Sequence, residues 1–231
     1  MLEKLKNIVF KANLDLVDKG LVIHTWGNVS GKDFKSGFII IKPSGVNYES
    51  MKPDDMVVID QEGKVVEGKF KPSTDAPTHL LLYKAYESLG GVVHTHSSYA
   101  TSWAQAGRAI PPLGTTHADH FYGEVPCTRL MTKKEIENDY EINTGRIIIE
   151  KMGTVNPLTV PSVLVNGHGP FCWGIDAENA VYNAVALEEI AKMAFFTVLL
   201  GKTELIDQFL LDKHFKRKHG TNAYYGQDKS K

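Results

Sequence analysis

Two histidines one residue apart, in Gly91-Val92-Val93-His94-Thr95-His96, constrain the local fold more than any other stretch of the chain. A short apolar run entered through two glycines reads as a buried strand. Side chains on a strand alternate faces, so His94 and His96 stand side by side with Thr95 behind them. Two adjacent imidazoles make a poor start for a packed core and a good one for a metal site. The plainer alternative is a pair of surface histidines at a strand end.

With 231 residues, 42% of them hydrophobic, the chain has apolar material for one large core. Its net charge of −1 creates no global field favouring nucleic acid or a membrane surface. Cys127 and Cys172 form neither a CxxC pair nor a disulfide framework. The first twenty residues lack the uncharged run of a signal peptide, and their apolar positions (Leu2, Leu5, Ile8, Val9, Leu16) suit an amphipathic helix. No segment reaches the ~18 consecutive apolar residues of a membrane span. The expectation is a soluble, cytoplasmic protein.

Further along, Phe38–Ile41 reads as a buried strand ending in a Lys-Pro-Ser-Gly turn, and "DDMVVID" and "EGKVVEG" as two more strands. A helix begins near Pro77, capped by Thr74 or Asp75 and stopped at Gly90. Ser97 or Ser98 caps a short helix after the histidines. "TGRIIIEKMG" fits strand or helix equally. "SVLVNGHGPFCWG" reads as two strands folded about Gly167–Pro170, and Asp176 caps a long helix from Ala177 to about Leu200. The irregular alternation predicts one α/β domain over residues 1–231, with a mixed, largely antiparallel central sheet covered by helices.

A catalytic zinc site takes three protein ligands and keeps one position open. His168 is the best third candidate: it sits between two glycines, which permit close backbone approach, in a turn flanked by apolar residues. Spacing alone leaves His24, His79, His117, His120, His214 and His219 as competitors. Three turns bearing small residues, "GNVSG", "KPSG" and "PSTD", have the make-up of phosphate cradles, although such turns are common as plain loops. Near the end, Tyr224 and Tyr225 form an aromatic pair where chains are usually frayed and polar, which points to a docked tail.

The stretches "TWGNVS", "IKPSGV", "PSTDAPTH", "GGVVHTHSSYATSWAQAG", "GTTHAD", "NGHGPFCWG" and "KHGTNAYYGQ" together resemble the L-ribulose-5-phosphate 4-epimerase family of the class II aldolase/epimerase superfamily. The likeness runs in order over nearly the whole chain. It implies a three-layer α/β/α fold. It implies Zn2+ held by His94, His96 and His168, with Asp75 as a fourth ligand in the substrate-free site, although Asp75 also suits a helix cap. The implied reaction interconverts L-ribulose 5-phosphate and D-xylulose 5-phosphate. The C4 hydrogen is β to the carbonyl, so its removal gains no enolate stabilisation. Opening the C3–C4 bond avoids that barrier and leaves an enediolate, for which the metal acts as a Lewis acid.

The scheme needs two proton carriers. The resemblance supplies Asp119 and Tyr225 for these roles and His214 as an accessory, although a turn aspartate, a packing anchor and a helix-end histidine are the plain alternatives. It assembles Gly27, Asn28, Lys42, Ser44, Gly45, Ser73 and Thr74 into the substrate-contact set. It further implies a homotetramer whose sites lie at subunit interfaces, with the tail from about residue 214 docking there. An aldolase of the same superfamily and a non-catalytic scaffold of the same fold are the competing readings. Three positions depart from the family pattern: Thr74 for serine, His120 for tyrosine and Cys172 for alanine. The first keeps the hydroxyl, the second places an imidazole beside Asp119, and the third suits small buried packing.

Overall fold

The computed structural model describes residues 2–201, 204–220 and 223–226. Seven strands form one sheet: β1 (Asn28–Lys32), β2 (Ile39–Ile41), β3 (Val57–Ile59), β4 (Val65–Glu67), β5 (Gly91–His94), β6 (Ser162–Val165) and β7 (Gly169–Gly174). Their order is β4-β3-β2-β1-β5-β7-β6, and every ladder between them is antiparallel. The expected parallel component is therefore confined, among the described residues, to an isolated bridge between Cys127 and Leu164.

Alternation along the strands builds two cores. Val29, Ile40, Val58, Val93, Leu164 and Cys172 face one side, under α1 (Leu2–Asp18), α3 (Ser98–Gln105) and α7 (Ala177–Leu199). Ile39, Ile41, Val92, Val163, Phe171 and Trp173 face the other, under α2 (Ala76–Ala85) and α6 (Tyr140–Met152). Full burial of a side chain such as Phe171 or Leu82 stabilises the fold by about 1.5–3 kcal/mol. Short helices α4 (Thr115–Ala118) and α5 (Lys133–Glu137) and the C-terminal α8 (Gln208–Lys218) complete the chain. No described helix is long and apolar enough to cross a membrane.

The ambiguous isoleucine run is helical. Ile147 and Ile148 in α6 pack onto the sheet face that already carries α2, which decides between two patterns that local sequence cannot separate. Asp176 caps α7 as expected, accepting the Asn179 N–H at 2.7 Å. Two other expected caps are replaced. The first-turn N–H groups of α3 go to the Glu188 carboxylate of α7, from Tyr99 at 2.8 Å and Ala100 at 2.9 Å, so neither Ser97 nor Ser98 is needed. Asp75 occupies the cap position of α2 but spends its side chain elsewhere.

Close approach fixes Gly91, at the start of the histidine strand. A Cβ there would lie 2.3 Å from the Asp176 oxygen and 2.6 Å from the Ala177 Cα, both backbone atoms that cannot step aside. Gly91→Ala is expected to destabilise the protein by about 2–3 kcal/mol, lowering the melting temperature by roughly 5–10 °C. A calorimetric melt at the wild-type temperature would refute this packing.

Candidate metal and substrate site

The strand β5 stops two residues earlier than the sequence implies. His94 is its last residue, and His96 lies beyond the ladder. The two rings meet all the same, with centroids 4.9 Å apart and Nε2 atoms 3.0 Å apart. Tetrahedral zinc with nitrogen ligands at about 2.0–2.1 Å sets its ligand atoms roughly 3.3 Å apart, so this spacing fits two lone pairs aimed at a common ion. The β6–β7 turn brings His168 to both, with ring centroids 4.7 Å from His94 and 5.0 Å from His96. One ring nitrogen from each of the three lies within 4.8 Å of the others.

Glycine permits this convergence. A Cβ on Gly169 would come within 2.8 Å of the Thr95 carbonyl oxygen, so only glycine lets the turn lie against the histidine strand. Gly27 has φ +106° and would place a Cβ 2.7 Å from the His94 carbonyl oxygen.

The rings are oriented from behind, as metal-binding imidazoles require. His94 Nδ1 donates to the Pro170 carbonyl at 3.0 Å, which leaves Nε2 as the acceptor. The Tyr140 hydroxyl lies 3.4 Å from His168 Nδ1. Burial pushes His168 down to about 3, with the neighbouring His94 and His96 adding to the effect, and burial also lowers His96. Both therefore present neutral rings, the ligating form, at pH 7.

Asp75 does not join that cluster as a fourth member. Its Oδ2 accepts from Asn28 Nδ2 at 2.6 Å, which holds the carboxylate at the cavity wall. Burial by itself would raise the Asp75 carboxyl, but His94, His79 and the Asn28 bond outweigh it and hold it below its ordinary value. Asn28 thus uses its amide N–H on Asp75, and its buried Oδ1 has no hydrogen-bond partner among the described residues.

One cavity of about 580 Å³ carries the three histidines, Asp75 and Asn28 on its wall, together with Gly27, Lys42, Ser44, Gly45, Ser73 and Thr74. Backbone pairing joins the two serine turns: the Ser44 N–H donates to the Lys71 carbonyl at 3.0 Å and the Ser73 N–H to the Lys42 carbonyl at 2.9 Å. Lys42 is 2% exposed. Its Nζ donates to the Val46 carbonyl at 2.8 Å and lies 4.7 Å from the centre of the Tyr48 ring. Burial pushes its ammonium down to about 8. An anion arriving in the cavity would supply the counter-charge that these neutral partners lack. Trp26 also lines the cavity, 6.5 Å from the His96 ring, and sequence reasoning passed over it although it lies inside the quoted "TWGNVS".

The remaining expected residues gather elsewhere. Asp119, at the end of α4, is 8% exposed and packs against α8. Arg217 grips it in a fork, Nε to Oδ1 at 3.0 Å and Nη2 to Oδ2 at 2.7 Å. His214 Nδ1 adds a contact to Oδ1 at 3.1 Å, and Lys218 lies 3.4 Å from Oδ2. Burial alone would raise the Asp119 carboxyl, but the Arg217 and His214 hydrogen bonds and the charge of Lys218 outweigh it and hold it below the usual carboxylate range. These neighbours on α8, rather than the adjacent His120, are its direct polar partners. Tyr225 is 61% exposed, with its ring against Arg217 and Lys218. Neither Asp119, His214 nor Tyr225 lines the histidine cavity of the same chain. Cys172 is buried in the core and its thiol is pushed up to about 12 by that burial, as a packing role requires.

A seven-stranded antiparallel sheet with this histidine trio at one end places the chain in a known class. Residues 7–195 match the Class II Aldolase and Adducin N-terminal domain, and the chain belongs to that family. Among curated relatives, the L-ribulose-5-phosphate 4-epimerase UlaF of Salmonella paratyphi B and that of Salmonella typhi are each 59% identical over 227 residues, covering 98% of this chain and 100% of the relative. The fold also matches a solved L-fuculose 1-phosphate aldolase, with a TM-score of 0.79 at 23% identity over 93% of this chain and 95% of that one. An L-fuculose 1-phosphate aldolase from Glaciozyma antarctica matches with a TM-score of 0.77 at 20% identity, covering 96% and 84%.

Proposed function

We propose that this chain is a metal-dependent L-ribulose-5-phosphate 4-epimerase, acting by opening and re-forming the C3–C4 bond. The single observation that carries the reading is the meeting of three imidazoles and the serine, threonine and glycine turns on the wall of one cavity. The full-length identity to the curated epimerases chooses this reaction over the aldol cleavages of more distant fold relatives.

His94, His96 and His168 hold the metal, and an all-nitrogen set of three suits zinc. When bound, the metal supplies Lewis acidity for the negative charge that develops as the carbon skeleton opens. Lys42, with the hydroxyls of Ser44, Ser73 and Thr74, holds the phosphate while the aldehyde turns over. Gly27 leaves the backbone clear beside His94, and Asn28 and Asp75 brace one another at the cavity wall. Asp119 and Tyr225 carry the protons, one taking the C4 hydroxyl proton as the bond breaks and the other returning one to the opposite face. Because these two groups lie away from the histidine cavity of their own chain, they serve the site of a neighbouring copy. The working unit is then a symmetric oligomer, a tetramer by family likeness, with the segment from about residue 214 at the interface. Residues 221–222 and 227–231 of that segment lie outside the described residues. A cytoplasmic location agrees with a phosphorylated substrate.

The deciding assay follows conversion of L-ribulose 5-phosphate to D-xylulose 5-phosphate with and without a chelator. Turnover is expected to fall at least about a hundredfold in chelator and to return on adding a divalent metal. A chain that never converts either sugar phosphate, with metal supplied, is not this enzyme.

A further inference from the structure

We propose that Arg217 is a positioning residue that joins the two proton carriers into one unit. The inference rests on the epimerase reading above. Its geometry has three independent parts. First, the guanidinium forms a two-point fork with Asp119, across 98 residues of sequence. Such a fork fixes the plane of a carboxylate, which a single lysine contact does not. Second, the same guanidinium lies 5.0 Å from the centre of the Tyr225 ring, within the range of a cation–π contact. Third, the Arg217 carbonyl accepts the N–H groups of both Tyr224 and Tyr225, at 3.0 and 2.9 Å. Side chain and backbone of one residue therefore hold the carboxylate on one hand and the tail on the other.

The surroundings give the arrangement its sense. His214, Arg217 and Lys218 lie three and four residues apart, so they share one face of α8, and all three touch the Asp119 carboxylate. His219 Nε2 binds the Asp119 carbonyl at 3.0 Å and its ring stacks on Phe215, closing the helix end over the same turn. From the Asp119 side, His120 faces Tyr182 of α7. Lys218 reaches both Asp119 and the Tyr225 ring but contributes no planar fork and no backbone contact to the tail. Without the guanidinium, the carboxylate keeps its contacts with His214 and Lys218 but loses its fixed orientation. The tail keeps two backbone bonds but loses the planar link between its ring and the carboxylate, leaving the single ammonium of Lys218 between them. Asp119 then moves toward the usual carboxylate range, because two of its strongest stabilising bonds are gone.

The test uses the full-length, metal-loaded protein with Arg217→Met and Arg217→Lys. In Arg217→Met, kcat is expected to fall at least about thirtyfold with KM within about threefold, the signature of a contact that matters in the transition state rather than in binding. The acid limb of the kcat–pH profile should move to higher pH. Arg217→Lys should recover part of the loss, and free guanidinium should partly rescue Arg217→Met. Metal content should match wild type in both. Carboxyl and ring NMR signals of Asp119 and Tyr225, assigned by Asp119→Asn and Tyr225→Phe, provide a readout that needs no turnover. Both signals should shift in Arg217→Met, with Asp119 titrating at higher pH. Unchanged signals and an unmoved pH profile in both variants would overturn the proposal. If both signals shift but wild-type protein epimerises nothing, the positioning stands and the assigned reaction falls.

Discussion

Replacing His168 by asparagine is expected to remove metal and activity together while leaving the fold intact. The residue sits in the β6–β7 turn rather than inside a strand, so little core packing depends on its ring. Its place in the trio is different. With His94 and His96 alone, two ligands remain from a set whose nitrogens gather within 4.8 Å, and a two-ligand site does not hold zinc against exchange. Metal affinity should drop on the order of a thousandfold, and turnover by a similar factor, because Lewis-acid stabilisation contributes several kcal/mol to the barrier. Metal analysis after gel filtration, a circular-dichroism melt and a metal titration of activity check it together. Full metal content and full turnover in this variant would remove the trio as the centre of the chemistry. Loss of both alongside a collapsed melt would instead assign His168 a structural role.

The parts of the molecule that were legible in the sequence are those governed by short-range rules. Strand alternation paired His94 with His96, and the two rings do meet even though the ladder ends at His94. The glycines around His168 announced a tight turn, and the close approach of Gly169 to Thr95 is the physical reason for one of them. Asp176 was visible as a cap because its partner lies three residues away. The misses involve long separations. Glu188 caps α3 from 88 and 89 residues away, and no local pattern in Ser97–Ser98 discloses that the donors are already taken. The Ile147–Ile149 run became a helix only because a neighbouring helix and a sheet face were available to receive it. Arg217 lies in "HFKRKHG", one turn past His214 on the same helical face, so its presence there was readable, but its grip on Asp119 was not. Tyr140 behind His168 gave no sequence signal at all.

Mixing two inactive variants is expected to restore activity, provided that each spoils a different half of a shared site. His168→Asn damages the proposed metal half, and Tyr225→Phe removes the hydroxyl of a proposed proton carrier that lies outside the histidine cavity of its own chain. Each alone should turn over at least about a hundredfold more slowly than wild type, the scale of general acid–base and metal contributions. In hybrids assembled from equal amounts, a site is whole when its metal half comes from a Tyr225→Phe copy and its carrier half from a His168→Asn copy. Each condition holds with a chance of one half, so about a quarter of sites, and about a quarter of wild-type activity, should return. The matching control combines Asp119→Asn with Tyr225→Phe. Both residues are tied to Arg217 on the same copy, so every site meets one damaged carrier and activity should stay at the level of the single variants. Co-refolded mixtures assayed for L-ribulose 5-phosphate conversion give the readout, with native mass measurements to verify that hybrids formed. Verified hybrids that remain inactive in the first pairing would show that histidines and proton carriers do not meet across a subunit boundary. Recovery in the second pairing would show that Asp119 and Tyr225 reach a site from different copies.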